Sequence, residues 1–273
     1  MYKPMVIFSI LFFFPSKEIP VTENLGPDLA TLAHGRIFFG HQSVGDNVVQ
    51  GVRELVQSNG VEGPRIVRLE QNALPSGFFL SETHIGRNED PASKCADFLK
   101  RTLAFPEDSL DIALMKFCHV DFDDNPNVTG VFELYRRTVD SLRQARPHIL
   151  IMHCTVPLTD RTPYWKRFIR SLLGRSDSRD VGNSRRKEYN DMLRQHYASE
   201  PIFDIATCES TKPDGSRSYF TSDGKTIYTL ASDYTDDGGH LNRLGREVAA
   251  TEFVKVLAQA LKSKSQSTSA NKK

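Results

Sequence analysis

The chain turns from strand to helix within the stretch Ile37-Phe38-Phe39-Gly40-His41-Gln42-Ser43-Val44-Gly45. The apolar run predicts a strand over residues 36–39, and apolar residues at helical spacing predict a helix over 43–57. Ser43 would then lie just past the carboxyl end of the strand. In a doubly wound sheet, sites form at the carboxyl ends of strands. Serine is also a preferred helix N-cap, so a purely capping role is the alternative.

Strands and helices alternate along the rest of the chain. We expect further strands at 65–69, 110–117, 149–153 and 202–206, and helices at 92–103, 128–144, 183–197 and 241–261. A long loop rich in Gly, Pro, Ser and Asn separates the second strand from Pro91. This alternation predicts an α/β fold, a doubly wound parallel sheet of about five strands with helices on both faces.

Composition indicates one substantial core. The 273 residues are 39% apolar and 25% charged, and 35 basic side chains balance 34 acidic ones. Nothing in this balance favours nucleic acid as a partner. We expect a single domain over residues 21–261. Residues 262–273 are mostly Lys and Ser with no apolar anchor, which predicts a disordered tail.

Residues 1–20 differ in composition from the rest. Lys3 precedes an apolar run over 6–14, which has the length of a secretory signal core and is too short for a stable membrane span. The sequence Phe14-Pro15-Ser16-Lys17 is a poor cleavage site. As an export signal, cleaved or not, this segment would make the protein secreted or part of the cell envelope (periplasmic). Otherwise we expect a cytoplasmic protein.

A second motif, Asp237-Gly238-Gly239-His240, lies about two hundred residues after Ser43. An aspartate three residues before a histidine can orient its ring within one turn. The other ring nitrogen is then free to take a proton from a hydroxyl. The alternative is a simple Asp-Gly turn.

The order of these motifs resembles the SGNH (GDSL-type) hydrolases, over roughly residues 34–260. The resemblance implies that Ser43 is the nucleophile, His240 the general base and then acid, and Asp237 the orienting carboxylate. It also implies an oxyanion hole built from the Ser43 N–H, a loop glycine and an asparagine side chain. Gly86 is the best match for the glycine, with Gly77 as the rival.

Two departures from the family pattern affect the site. The first block has Gly-His-Gln-Ser where Gly-Asp-Ser is common. After the third predicted strand the chain has Cys118-His119-Val120-Asp121, where the family has Gly-x-Asn-Asp. Asp121 matches, but no asparagine precedes it. We therefore expect the side chain of Asn88, two residues beyond Gly86, to supply the third donor. The alternative is that Asn88 only stabilises its own turn.

The resemblance implies a serine esterase that needs no cofactor and acts on a small-molecule or glycan ester, such as an acetylated carbohydrate. The missing asparagine keeps open a non-catalytic glycan- or protein-binding role. Zinc at Cys118-His119 and His153-Cys154 is disfavoured because adjacent strand residues point to opposite faces, so we expect no metal. Cys118 and Cys154 could be buried thiols or a disulfide in an oxidising compartment.

Overall fold

The computed structural model describes residues 24–69, 74–163, 172–173 and 177–270. The predicted signal segment, residues 1–20, lies outside this part of the chain. None of the helices described is both long and apolar enough to cross a membrane.

A parallel sheet forms the centre of the molecule. Its strands are β1 (Arg36–His41), β2 (Ile66–Arg68), β3 (Phe79–His84), β4 (Ile112–Met115), β5 (Leu150–Cys154) and β6 (Ile202–Phe203), in the spatial order β2-β3-β1-β4-β5-β6. Every neighbouring pair is parallel. The doubly wound parallel sheet is confirmed, with six strands rather than about five.

Helices cover both faces of the sheet and bury a separate apolar core on each. They are α1 (Gly26–Ala33), α2 (Val44–Asn59), α3 (Pro91–Ala104), α4 (Val128–Ala145), α5 (Ser178–His196), α6 (Ile205–Ser210) and α7 (Arg243–Ala270). Side chains of α1, α2, α6 and α7 fill one core. Side chains of α3, α4 and α5 fill the other. Strands that lie between these two layers are therefore apolar on both faces, and β1 and β4 are of this kind.

The strand β3 lies where the sequence predicts a loop. It pairs directly with β1, in a register that places His84 opposite His41. Its middle residues, Ser81 and Glu82, are polar yet buried. The Ser81 hydroxyl donates a hydrogen bond to the carbonyl oxygen of Ile37 at 2.9 Å. These partners are distant in sequence, so a local pattern does not reveal the strand.

Three further differences concern the second half of the chain. The predicted strand over 202–206 stops at Phe203, because the Asp204 side chain accepts the N–H of Thr207 and caps α6. A small hairpin of β7 (Tyr219–Ser222) and β8 (Lys225–Tyr228) was not predicted. The last helix, α7, ends at Ala270 rather than at the predicted residue 261. Lys262 anchors that extension by an ion pair of 2.8 Å with Asp28.

Candidate active site

Ser43 occupies the turn between β1 and α2 in an unusual backbone conformation. Its φ is 54° and its ψ is −109°, and its side chain makes no capping hydrogen bond. Positive φ is uncommon for a residue with a side chain and costs of order 1–3 kcal/mol. The Ser43 Oγ instead lies 2.7 Å from Nε2 of His240. The hydroxyl therefore faces an imidazole rather than its own helix.

The loop before α7 brings Asp237 and His240 together. Oδ2 of Asp237 lies 2.7 Å from Nδ1 of His240. Oδ1 of the same carboxylate accepts the backbone N–H groups of Gly239 and His240, each at 2.8 Å. Gly238 has a φ of +86°, which lets the chain turn tightly enough for these contacts. Serine, histidine and aspartate thus form one continuous chain of hydrogen bonds.

The hydrogen bonds to Asp237 fix its charge. Partial burial raises the pKa of this carboxyl, but the N–H groups of His240 and Gly239 and the His240 ring together hold it well below its usual range. The carboxylate stays ionised and can only accept, so Nδ1 of His240 must carry a proton. Nε2 is then the nitrogen that can accept the Ser43 proton.

The serine helix also holds the histidine loop in place. The Asn47 side chain, in the first turn of α2, accepts the N–H of Leu241 at 3.0 Å. Leu241 forms an isolated antiparallel bridge with Thr235 across the loop. From the other side, Arg179 donates to the carbonyl oxygen of Asp237 at 3.2 Å. These contacts couple the position of His240 to the turn that carries Ser43.

Both loop residues of the expected oxyanion hole make other contacts in the structure, Gly86 as a donor and Asn88 as an acceptor. The N–H of Gly86 donates to the Asp97 carboxylate at 3.1 Å, so in this structure it is not free for a substrate oxygen. Asn88 is exposed, and its Oδ1 accepts from the Lys94 ammonium at 3.0 Å. Because the oxygen end is held, the NH₂ end of Asn88 remains its donor. The N–H of Ser43 lies at the start of α2, where amide groups lack intrahelical acceptors.

A buried ion pair connects the Gly86 loop to the segment after β4. Nζ of Lys94 lies 2.6 Å from Oδ2 of Asp121, and both side chains are fully buried. Asp121 also accepts the N–H groups of Glu89 at 2.8 Å and Cys118 at 2.7 Å. The family-matched aspartate therefore fixes two loops beside the site. Lys94 was not predicted as part of the site, because in the sequence it is an ordinary charged residue of a helix.

A cavity of about 440 Å³ opens beside His240. It is lined by His119, Asp123, Asp124, Thr159, Ser178, Arg179 and the loop 237–240. The ring centroid of His119 lies 6.3 Å from that of His240. Burial lowers the pKa of the His119 imidazole, which favours its neutral form. Apart from the loop 237–240, the residues that line this cavity were not predicted as part of the site, because they come from three separate segments of the chain.

The cysteines do not form the alternative sites considered from sequence. All four are free thiols, including Cys118 and Cys154. His153 turns away, with Nδ1 2.8 Å from the Tyr135 hydroxyl and Nε2 3.0 Å from Glu200. Burial raises the pKa of the Cys154 thiol, so it stays protonated. The disulfide and the Cys/His cluster are therefore absent from the described residues.

Comparison with known proteins finds similarity only at the level of structure. No family model matches the sequence, and no curated protein sequence matches it. Solved structures that match include a lipase/acylhydrolase from Enterococcus faecalis, with 13% identity, a TM-score of 0.47 and coverage of 82% of this chain and 94% of that one. A lipolytic protein of the G-D-S-L family from Veillonella parvula has 11% identity, a TM-score of 0.47 and coverage of 82% and 97%.

A carbohydrate esterase family 3 structure from Talaromyces cellulolyticus also matches, with 15% identity, a TM-score of 0.46 and coverage of 83% and 97%. These three structures bear lipolytic or esterase names, and none shares more than 15% identity with this chain. What the chain shares with these structures is its fold, a parallel sheet flanked by helices.

Proposed function

We propose that the chain is a serine ester hydrolase that uses Ser43, His240 and Asp237. The observation that carries the proposal is the hydrogen bond of 2.7 Å from Ser43 Oγ to His240 Nε2, continued at 2.7 Å from Nδ1 to Asp237. A serine hydroxyl becomes a useful nucleophile when a base oriented by a third group takes its proton. Ser43 makes no capping hydrogen bond and has a positive φ, and a residue that only caps a helix would need neither feature.

In the proposed reaction, Ser43 Oγ attacks the ester carbonyl carbon while His240 Nε2 takes the hydroxyl proton. The negative oxygen of the tetrahedral intermediate faces the N-terminus of α2, where the Ser43 N–H and the helix dipole stabilise it. His240 then donates its proton to the departing alcohol, which leaves an acyl-serine. Water, deprotonated by His240, hydrolyses that acyl-serine and restores the enzyme.

The charged and hydroxyl side chains that line the cavity beside His240 support a small, polar substrate. Asp123, Asp124 and Arg179 bring charged groups to its wall, and Thr159 and Ser178 bring hydroxyl groups. A sugar offers hydroxyl groups that can bond to such a wall, whereas a long acyl chain would strip these groups of water without replacing the lost hydrogen bonds. We therefore propose a short acyl group, such as acetyl, on a carbohydrate or similar alcohol.

Export, if residues 1–20 direct it, would bring the enzyme to envelope or extracellular glycan esters.

A second candidate function is binding without turnover. The N–H of Gly86 is engaged by Asp97, and no asparagine precedes Asp121. With fewer donors for the oxyanion, the same cavity would hold a glycan or a protein segment without cleaving an ester.

Labelling with a fluorophosphonate probe, followed by peptide mapping, distinguishes the two candidates. We expect the probe on Ser43 and hydrolysis of an aryl acetate by the wild type. Ser43→Ala should lose both, with a fall in kcat of about 10⁴-fold or more. Ser58→Ala, which removes an exposed serine from the same helix, is the matched control and should behave as the wild type. A folded wild-type protein with neither labelling nor hydrolysis would favour the binding function.

A further inference from the structure

A second cluster of polar side chains lies close to the Ser43 turn but is not used by the proposed reaction. It consists of His41 at the end of β1, Asp46 in the first turn of α2, and His84 at the end of β3. One ligand-type atom from each residue lies within 4.8 Å of the others. The two histidines are register partners in the sheet, with ring centroids 5.6 Å apart.

The His41 ring of this cluster is buried, and one of its two nitrogens has no hydrogen-bond partner among the described residues. Its side chain is fully buried, and its Nε2 lies 3.2 Å from Oε2 of Glu82. A carboxylate only accepts hydrogen bonds, so Nε2 carries the ring proton and Nδ1 presents a lone pair. Among the described residues, Nδ1 has no hydrogen-bond partner. Leaving a buried polar atom unpaired costs about 1–3 kcal/mol, so such an atom calls for a ligand or a bound water.

That nitrogen faces the first turn of α2. A Cβ placed on Gly45 would lie 2.5 Å from His41 Nδ1 and 2.4 Å from its Cβ, so only glycine leaves the ring room at this position. The next residue, Asp46, supplies the carboxylate. The backbone thus holds the ring directly against the turn that carries the second ligand.

Asp46 and His84 complete the cluster from the solvent side. Nε2 of His84 lies 2.9 Å and 2.8 Å from the two carboxylate oxygens of Asp46. Their side chains are 40% and 46% exposed, so both can rotate and a cation can reach them. Arg68 Nη1, 3.4 Å from Asp46, is half exposed and can swing away into solvent.

We propose that His41, Asp46 and His84 bind a divalent cation of the zinc type. Two imidazoles and one carboxylate, with a water in the fourth position, are a common zinc ligand set at distances of about 2.0–2.2 Å. Glu82 would act as the carboxylate that orients a ligating histidine through its other nitrogen. The cation would replace the proton that Asp46 and His84 share, and would tie α2 to β1 and β3.

The site is structural in this proposal, because it cross-links the three elements that surround Ser43 and takes no part in the ester reaction. Its readouts are therefore metal content and thermal stability rather than turnover. A cation that binds only the folded chain raises the melting temperature, by an amount that grows with the logarithm of its concentration relative to its Kd. Success or failure here leaves the proposed esterase function untouched.

The test uses the full, tag-free chain, stripped with a chelator and titrated with Zn²⁺ while bound metal is counted after dialysis. We expect one equivalent bound tightly, with a higher Tm. His84→Ala should weaken binding by at least about 100-fold, more than the loss of an outer partner costs. Asp46→Asn is the second variant if His84→Ala does not fold. His34→Ala removes an exposed histidine elsewhere and should bind as the wild type does.

Titration with Co²⁺ separates this site from the cysteines. Nitrogen and oxygen ligation should give weak visible bands without a thiolate charge-transfer band. The proposal is overturned if a folded His84→Ala or Asp46→Asn protein binds Zn²⁺ as tightly as the wild type, if the wild type binds none, or if Co²⁺ shows thiolate ligation.

Discussion

Replacing Asp237 with asparagine tests the hydrogen-bond chain of the candidate site with a minimal change in shape. The carboxylate accepts two backbone N–H groups at 2.8 Å through Oδ1 and contacts the His240 ring at 2.7 Å through Oδ2. In Asp237→Asn the amide oxygen can keep both backbone bonds. The NH₂ group must then face Nδ1 of His240, and since it only donates, the ring proton moves to Nε2.

This change of tautomer should stop the reaction at its first step. Nε2 lies 2.7 Å from Ser43 Oγ, and once it carries a proton it cannot accept another from the serine. The loss of an orienting carboxylate in a serine triad lowers kcat by about 10⁴-fold, equivalent to about 5.5 kcal/mol of barrier. The fold should survive, because the two backbone hydrogen bonds of the loop remain.

The assay is the steady-state hydrolysis of an aryl acetate, with the rate of fluorophosphonate labelling as a second measure. Asp236→Asn, a change at the exposed neighbouring residue, is the control and should keep wild-type kinetics. A folded Asp237→Asn protein with kcat within about tenfold of the wild type would refute the role assigned to this carboxylate. So would an equal loss in the control.

Two more substitutions test the surroundings of the site. Burial raises the pKa of Glu209 to about 8 from 4.5, although its Oε2 accepts the N–H of Leu158 at 2.6 Å. Between these pH values the folded chain holds a proton that the unfolded chain has released, so stability should fall as pH rises, by up to about 5 kcal/mol. In Glu209→Gln, the free energies of unfolding from denaturant titrations at pH 5 and pH 8 should no longer differ in this way. The same loss of stability between the two pH values in that variant would show that Glu209 is not its source. Asn88→Asp keeps an acceptor for Lys94 but removes the NH₂ donor, and should lower kcat by about 100-fold or more. Full activity in Asn88→Asp would show that this amide does not serve the oxyanion.

The parts of the fold that follow from sequence are those set by local apolar patterns. The residues of β4, Ile112–Met115, are all buried, and so is nearly all of β1, so continuous apolar runs located both strands. The Ser43 turn and the loop 237–240 are likewise local, since each places its key side chains within a few residues. Their meeting across about two hundred residues was predicted only through the family resemblance.

The remaining features depend on partners that a local pattern does not contain. Glu82 is buried in β3 because His41 and two arginines from other elements surround it. Lys94 is buried because Asp121 meets it from the segment after β4. In each case a charged residue that should mark the surface is neutralised by tertiary contacts. For the same reason, the hydrogen bond from the Gly86 N–H to the Asp97 carboxylate could not be foreseen.

The positive φ of Ser43 affects which variants of this protein would be obtained by selection for stability. Glycine is the residue that adopts a φ of 54° without steric cost, so a Ser43→Gly exchange should relax the turn while deleting the hydroxyl. Selection for expression yield or heat resistance alone would then favour that exchange, because strained functional residues commonly lower the stability of the fold. A library of variants screened for stability without an activity assay should therefore accumulate proteins that fold but lack the Ser43 hydroxyl. The requirements of folding alone therefore give no reason to keep a serine at this position.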